Sequence, residues 1–238
     1  MKNKKILLIV FVCQLIMSCQ NGKPSDEIYF EGKVIYSITF IKPRGSIIPQ
    51  ELFEKKFNQF EKSGTLFIRG SNLKFEITNE NRSDLSEIFL FLNDSGKSYF
   101  KLVGSDTWCT IKEKKGQDEW TIKSNSNDTI NVFNFNCAEK TIYSNNIVQC
   151  KLYVNENLKT TFSSKCEQQF VLFQAIQLSQ SVPLSMTIPG NNGIFDIHFS
   201  AIQFDTSSVS QEIFDIPKFI NRDGCNNFLW LNSFTKVN

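Results

Sequence analysis

Apolar and polar residues alternate along most of the chain after residue 28. In the first such segment Val34, Tyr36, Ile38 and Phe40 alternate with Lys33, Ser37 and Thr39. Alternation with a period of two predicts a strand with one buried face. The pattern recurs in the segments Thr65–Arg69, Lys74–Thr78, Glu87–Leu92, Ser98–Val103, Trp108–Glu113, Trp120–Lys123, Ile130–Phe135, Thr141–Tyr143, Val148–Val154, Lys159–Ser163, Leu184–Ile188 and Ile194–Gln203.

Short runs rich in Gly, Asn, Asp and Ser separate these segments, for example at 70–72, 93–96 and 125–128. These residue types favour turns, because they accept left-handed backbone conformations or bond to their own backbone. Short strands joined by tight turns predict a meandering antiparallel sheet, barrel or half-barrel. We therefore expect a mainly β fold.

Two segments depart from the alternation and predict helices, Pro49–Lys62 and Glu167–Gln180. The first begins with proline and has glutamates early and lysines late, which suits the start and the dipole of a helix. Phe53, Phe57 and Phe60 form an apolar stripe along it. The stripe either packs on the sheet as part of the core or forms a surface that binds a partner.

The amino-terminal residues have the organisation of a bacterial export signal. Three lysines within the first five residues precede an uncharged and largely apolar run from Ile6 to Met17. That run suits a signal peptide and is shorter than the ~20 residues of a membrane-spanning helix. The following Ser18-Cys19, with Ile16 before it, resembles the lipobox of bacterial lipoproteins. The resemblance implies cleavage before Cys19 and a lipid on its thiol; the alternative is an ordinary secretory signal with a chance cysteine.

This organisation predicts three parts: a signal peptide at 1–18, a lipidated tether at 19–27 and a single β-rich domain at 28–238. The tether is polar and contains Gly and Pro, which suits a short flexible linker. Two or more acyl chains give stable anchoring. We therefore expect a membrane-anchored lipoprotein of the bacterial cell envelope, on its periplasmic or its surface face.

Composition narrows the functional classes. Three of the 26 Lys and Arg residues lie in the signal peptide, which leaves 23 against 24 Asp and Glu. A nearly neutral chain argues against nucleic acid as a partner, because that binding needs a concentrated basic face. The chain has 23 phenylalanines but only three alanines, which favours strands over helices. So many aromatic rings either fill a large core or line a cavity.

Five cysteines remain besides Cys13 in the signal peptide and Cys19 at the lipidation site. Exported proteins meet oxidising conditions, so disulfides are expected. Cys137 and Cys150 bracket a predicted hairpin, and we take them as a candidate disulfide. Cys166 is a competing partner, and the alternative is buried free thiols. Because five is odd, at least one thiol is free or pairs with another molecule.

The carboxyl-terminal segment 221–238 is rich in apolar residues, including Trp230 and Phe234. We expect it to pack back onto the domain, with Cys225 as a candidate covalent link. A segment that docks a partner protein is the alternative.

The chain carries no P-loop, no dinucleotide-binding glycine pattern and no histidine metal motif. His198 is the only histidine, and no nucleophile elbow or protease signature accompanies it. We interpret it as a surface residue rather than a catalytic base. The sequence therefore predicts a protein that is not an enzyme, with no cofactor and no metal.

The order of elements resembles a known family. The opening strand has the pattern Gly32-x-Val34-x-Tyr36, and the closing passage is the segment VSQEIFDIP at 209–217. Both are similar to Bacteroidetes-type envelope lipoproteins with a lipoprotein-carrier (LolA/LolB-like) half-barrel. The resemblance implies a strongly curved antiparallel sheet with one or two helices packed on its concave face. This chain departs from the carriers in two ways: it is itself predicted to be a lipoprotein, and its first predicted helix follows the first strand.

Carriers of that fold hold acyl chains between the sheet and the helices. The resemblance therefore implies that this protein binds a lipid or another hydrophobic ligand, with Phe53, Phe57 and Phe60 as the first candidates for the cavity wall. The alternative is a structural or interaction lipoprotein with a filled core that binds a protein partner. The partner itself is unknown from the sequence.

Overall fold

The computed structural model describes residues 29–57, 62–79, 82–101, 107–110, 119–162, 170–190, 193–215 and 220–221. Within them the helices are α1 (Gln50–Phe57) and α2 (Val171–Ser179). Short 3-10 helices cover Asn93–Ser95 and Gln211–Phe214. The strands are β1 (Gly32–Ile41), β2 (Lys62–Arg69), β3 (Asn72–Asn79), β4 (Arg82–Leu92), β5 (Lys97–Lys101), β6 (Trp108–Thr110), β7 (Trp120–Val132), β8 (Phe135–Ser144), β9 (Ile147–Lys159), β10 (Ser181–Pro189), β11 (Asp196–Asp205) and β12 (Ile220–Asn221).

The twelve described strands form one sheet in the order β12-β6-β5-β4-β3-β2-β1-β11-β10-β9-β8-β7. Neighbours pair antiparallel except β12 and β6, which are parallel. The sheet does not close on itself, since β12 and β7 are its outermost described strands. The prediction of a mainly β, antiparallel fold with helices is therefore confirmed.

The sheet is strongly curved, as a contact between distant strands shows. The hydroxyl of Ser71, in the turn between β2 and β3, donates to the carbonyl oxygen of Thr161 over 3.1 Å. Thr161 lies just beyond the end of β9, which is four strands away from β2 in the sheet order. At a spacing of ~4.8 Å between strands, a flat sheet would separate them by ~19 Å. The sheet must therefore curl to bring the two residues together.

Alternation along β1 gives the sheet its apolar face. Val34, Tyr36 and Ile38 are fully buried, whereas the residues between them are partly exposed. Tyr36 is the polar exception in this row, and its hydroxyl donates to the carbonyl oxygen of Pro183 over 2.7 Å. That bond satisfies the buried phenol, whose pKa is raised by burial.

Two hairpins around β8 use the same tight turn. Phe133 and Asn134 have φ angles of 49° and 65°, and Asn145 and Asn146 have the same two values. Two consecutive positive φ angles are typical of the type I′ turn that joins antiparallel strands. The predicted turn at 125–128 is wrong: β7 continues through these residues, and the register shifts between Asn125 and Thr129. Their turn-forming side chains produce a bulge instead.

The helices are shorter than the sequence predicts. Lys62 is the first residue of β2, so it does not belong to the predicted helix Pro49–Lys62. Helix α2 begins at Val171 and ends at Ser179, inside the predicted range. It packs on β9 and β10, and its buried residues are Leu172, Phe173, Gln174, Ala175, Ile176 and Ser179.

Candidate functional site

Helix α1 covers one end of the concave face through two phenylalanines. Phe53 and Phe57 are buried, and their ring centroids lie 4.7 Å apart. Phe57 also lies 5.5 Å from Phe40 at the end of β1 and 5.3 Å from Phe195 at the start of β11. Phe60, the third predicted cavity residue, lies outside the described residues. The packing of α1 thus depends on two rings, and the predicted ligand cavity stays a prediction.

A second aromatic group fills the middle of the concave face. Phe170 stacks on Phe89 of β4, with the ring centroids 4.1 Å apart and the planes almost parallel. It also contacts Phe75 of β3 at 5.6 Å and Phe173 of α2 at 4.9 Å. Rings at these distances gain both burial and specific aromatic contacts. This half of the face is a packed core.

A carboxylate interrupts the apolar face beside these rings. Glu87 on β4 pairs directly with Ile77 on β3, and cross-strand partners share a face. Since Ile77 belongs to the buried core, Glu87 points the same way and is only 5% exposed. Its Oε2 atom makes no hydrogen bond in the described part of the chain. Burial raises the pKa of this carboxyl, and the nearby charge of Lys62 partly opposes the rise.

A polar cavity of about 280 Å³ lies at the other end of β1. It is lined by two lysines, one glutamate and a group of uncharged polar side chains. The lining residues are Tyr29, Lys140, Glu156, Lys159, Thr160, Ser179, Gln180 and Ser181. Among the lining residues Thr160 is 1% exposed, and its Oγ1 atom makes no hydrogen bond within the described residues.

Local irregularities in β9 and α2 shape this cavity. Val154 pairs with Pro183, and Lys159 pairs with Ser181. Between these two pairs β9 advances by five residues while β10 advances by only two. The resulting bulge includes Glu156, and bulges commonly re-aim side chains beside functional sites. Gln180 ends α2 with a φ of 55°, the left-handed region that few residues other than glycine adopt. Its side-chain amide donates to the carbonyl oxygen of Phe162 over 3.1 Å.

Lys140 reaches the cavity because of its register. It pairs with Leu152 on β9, a fully buried residue, and therefore lies on the apolar face. In the sequence Lys140 stands between Ala138 and Ile142 in the same alternating row. A charged residue at an apolar position of an alternating strand is the signal that sequence reasoning missed here. Glu87 gives the same signal, since Phe89 and Phe91 follow it at the apolar positions of β4.

The predicted disulfide between Cys137 and Cys150 is wrong, because both are free and buried. The hairpin turn at Asn145-Asn146 pairs Cys150 with Ile142 on β8. Cys137 lies five residues from Ile142 along that strand, which is ~17 Å at 3.3 Å per residue. A disulfide needs its Cα atoms within ~7 Å. Burial raises the pKa of Cys150 to about 12 and also raises that of Cys137.

Cys109 on β6 is disulfide-bonded. Since Cys137 and Cys150 are free, its partner is not among the described cysteines. Cys166 and Cys225, named above as candidates, lie outside the described residues, as do the signal peptide, Cys19 and the tether. Lipidation at Cys19 therefore stays a prediction.

The convex face carries two polar contacts. His198 Nδ1 lies 3.0 Å from the hydroxyl of Thr187 on the neighbouring strand, and burial lowers the pKa of the imidazole. The hydroxyl of Tyr153 donates to Glu139 over 3.2 Å. Partial burial and the neighbouring carboxylates of Glu139 and Asp128 raise the pKa of Tyr153 to about 12. Both contacts are cross-strand pairs of a polar sheet face.

Among the described residues no three His, Cys, Asp or Glu side chains are grouped so that they could hold a metal ion. None of the helices in the described ranges has the length and apolarity needed to cross a membrane.

No protein-family model matches the chain, and no match is found among curated proteins. One similar solved structure is that of an uncharacterized conserved protein from Thermus thermophilus. The likeness covers 81% of this chain and 91% of that chain, with 8% sequence identity and a TM-score of 0.43. At this level the likeness carries no argument about function.

Proposed function

We propose that this chain is a lipid-anchored protein of the bacterial cell envelope that binds an apolar molecule against the concave face of its sheet. The observation that carries the proposal is helix α1, which within the described residues covers one end of an open, curved and apolar sheet through two buried rings, Phe53 and Phe57. The lipobox-like segment before Cys19 supplies the anchor, and the resemblance to lipoprotein carriers agrees with both features. The protein performs no chemical step in this proposal.

The end of the sheet under α1 is suited to admit an apolar ligand. Phe57 contacts Phe53, Phe40 and Phe195, and an acyl chain could replace these contacts if the helix moved outward. The surroundings of the helix are apolar as well. Large apolar side chains are exposed at the end of β1, before and within α1, and before β11, namely Ile41, Ile47, Leu52 and Ile194. Exposed apolar side chains mark a binding surface where they form one contiguous patch.

The test is native mass spectrometry of the protein purified from bacterial envelope, followed by lipid extraction. We expect a stoichiometric acyl species that is lost on denaturation. Phe57→Ala should weaken the attachment of α1 and accelerate exchange of the bound lipid. Glu51→Ala is the matched control, because this side chain lies on the same helix but is exposed and polar. A clean apo mass that does not increase with added fatty acids or phospholipids would refute ligand binding.

The anchor is tested separately. Intact mass should show a diacylglycerol and an acyl chain on the mature amino terminus at Cys19. Cys19→Ser should remove the lipid mass and release the protein into the soluble envelope fraction. If the wild-type protein is cleaved elsewhere or carries no lipid, the anchoring part of the proposal fails, whereas ligand binding is judged by the previous experiment alone.

One observation favours a second function. The stacked rings of Phe89 and Phe170 fill the middle of the concave face and leave that part as ordinary core. A filled core would make the protein a structural or interaction lipoprotein, with the exposed apolar residues around α1 holding a protein partner. An apo mass in the lipid experiment, together with a co-purifying protein that Leu52→Ala releases, would support this function instead.

A further inference from the structure

The polar cavity at the other end of β1 has the features of a built binding site. Its volume of about 280 Å³ is just below the ~300–1,000 Å³ typical of small-molecule pockets. A cavity of this size holds one polar group rather than an extended acyl chain. Its residues come from the segment before β1, from β8, from the bulge of β9 and from the junction of α2 and β10.

The charged residues that line the cavity indicate which kind of ligand would complement it. The charged residues of the lining are two lysines, Lys140 and Lys159, and one glutamate, Glu156. Lysine ammonium groups bind phosphate as point charges. A glutamate next to them would repel a simple anion but attract an ammonium group. The complementary ligand therefore carries a phosphate and a primary ammonium close together.

Uncharged groups add hydrogen-bonding capacity. Thr160 lines the cavity with an almost fully buried side chain, and its hydroxyl has no partner among the described residues. A buried hydroxyl without a hydrogen bond destabilises the folded protein, so a ligand that accepts from it gains affinity. The Oγ1 atom itself is buried, so a phosphate oxygen in the cavity would accept from this hydroxyl after a change of the side-chain rotamer. The left-handed Gln180 beside it is a strained residue of the kind that accumulates at functional sites.

We propose that this cavity binds a phosphoethanolamine group, either as free phosphoethanolamine or as the head group of a membrane phospholipid. The free monoester carries close to two negative charges at neutral pH and one positive charge, which balance the two lysines and the glutamate. The head group is a diester with one negative charge, and it would reach the cavity from the membrane. Tyr29 lines the cavity and lies ten residues after Cys19, so a lipid anchor at Cys19 would hold the cavity within ~34 Å of the membrane surface.

The test is isothermal titration calorimetry on the mature chain, purified from bacterial envelope in a nonionic detergent. The ligands are phosphoethanolamine, glycerophosphoethanolamine, inorganic phosphate and ethanolamine. We expect one of the first two to bind at least about tenfold more tightly than phosphate or ethanolamine, because it makes both charge-assisted contacts. Tighter binding of phosphoethanolamine, the monoester, indicates that the cavity takes the free compound. Tighter binding of glycerophosphoethanolamine, which reproduces the lipid head group, indicates the membrane.

Three substitutions locate the binding. Lys140→Gln should weaken binding of the phosphoethanolamine group at least about tenfold, whereas Lys140→Arg keeps the charge and should retain most of it. Glu156→Gln should weaken phosphoethanolamine but not inorganic phosphate, because it removes only the partner of the ammonium. Lys151→Gln is the matched control. Lys151 is exposed on β9, the strand that also carries Glu156, but it does not line the cavity.

The proposal is overturned if neither phosphoethanolamine compound binds, or if inorganic phosphate binds as tightly as both. It is also overturned if Lys140→Gln and Glu156→Gln change the affinity no more than Lys151→Gln does. None of these outcomes depends on an apolar ligand under α1. The choice of the membrane as the source depends on the proposed lipid anchor, but binding of the free compound does not.

Discussion

Replacing Glu87 by methionine should stabilise the protein at neutral pH. The carboxyl group is 5% exposed on the apolar face, and its Oε2 atom has no hydrogen-bond partner among the described residues. An unsatisfied buried polar group costs roughly 1–3 kcal/mol, and more when it is charged. Methionine fills a similar volume without a polar atom to satisfy. Lys62 loses an attractive charge, so we expect a net gain of about 1–2 kcal/mol.

The gain should depend on pH in a defined direction. The pKa of Glu87 is raised from 4.5 in the folded protein, so the folded chain keeps this proton to a higher pH than the unfolded chain. The wild-type protein therefore loses stability as the pH rises from the unfolded-state pKa through the folded-state pKa. The advantage of Glu87→Met should be smaller at pH 4, where the carboxyl is mostly protonated, and larger at pH 8.

Urea unfolding at both pH values measures the effect. A gain of 1 kcal/mol would correspond to a rise of ~2–4 °C in Tm for a domain of this size. Glu87→Gln separates charge from polarity, since it keeps the shape of the side chain but cannot ionise. Glu119→Gln is the control at an exposed glutamate. The reasoning is refuted if Glu87→Met destabilises the protein at pH 8, or if its effect is the same at pH 4 and pH 8.

Three further predictions concern the core, a turn and a disulfide. Phe170→Ala removes a ring that is 2% exposed and stacked on Phe89, so we expect a loss of about 3–5 kcal/mol in urea unfolding; a loss below ~1 kcal/mol would contradict the packing. Phe133→Asn should stabilise by about 0.5–1 kcal/mol, because Phe133 is 42% exposed in a left-handed conformation that asparagine tolerates; a lower Tm than wild type would contradict it. Peptide mapping without reduction should link Cys109 to Cys225, because Asn221 pairs with Cys109 in the sheet; a peptide joining Cys109 to any other cysteine would contradict this.

Alternation predicted most of the strands because each strand buries one face and exposes the other. Val34, Tyr36 and Ile38 follow this rule without exception. The rule fails at 125–128, because the same residue types that make turns also make bulges. Only the pairing with β8 decides between the two, and pairing is a long-range property. Likewise the turn at Phe133 carries no turn signal at its first position, because the flanking strands impose the conformation.

The candidate sites were less predictable than the fold. The sequence indicated Phe53 and Phe57, and the structure brings them together with Phe40 and Phe195. It gave no sign that Thr160 and Lys140 line one cavity, because they meet only through the curvature of the sheet and a bulge. The disulfide prediction failed for a related reason. The spacing of the two cysteines located the hairpin but did not give its strand register. That register pairs Cys150 with Ile142 and so separates Cys150 from Cys137.

The bulge in β7 bears on how copies of this protein behave when they are crowded. Among the described strands β7 is the outermost on its side, and its thirteen residues would otherwise offer a long row of unpaired backbone groups to a neighbouring molecule. From Asn125 to Thr129, β7 advances by four residues while its partner β8 advances by one. This bulge interrupts the regular hydrogen bonding along β7. The side chains described there are exposed and polar, namely Asn125, Asn127, Asp128 and Thr129. A second strand cannot add in register across such an edge, so the bulge protects against aggregation. This protection matters most for a protein that, if anchored as proposed, meets its own copies on the surface of a membrane.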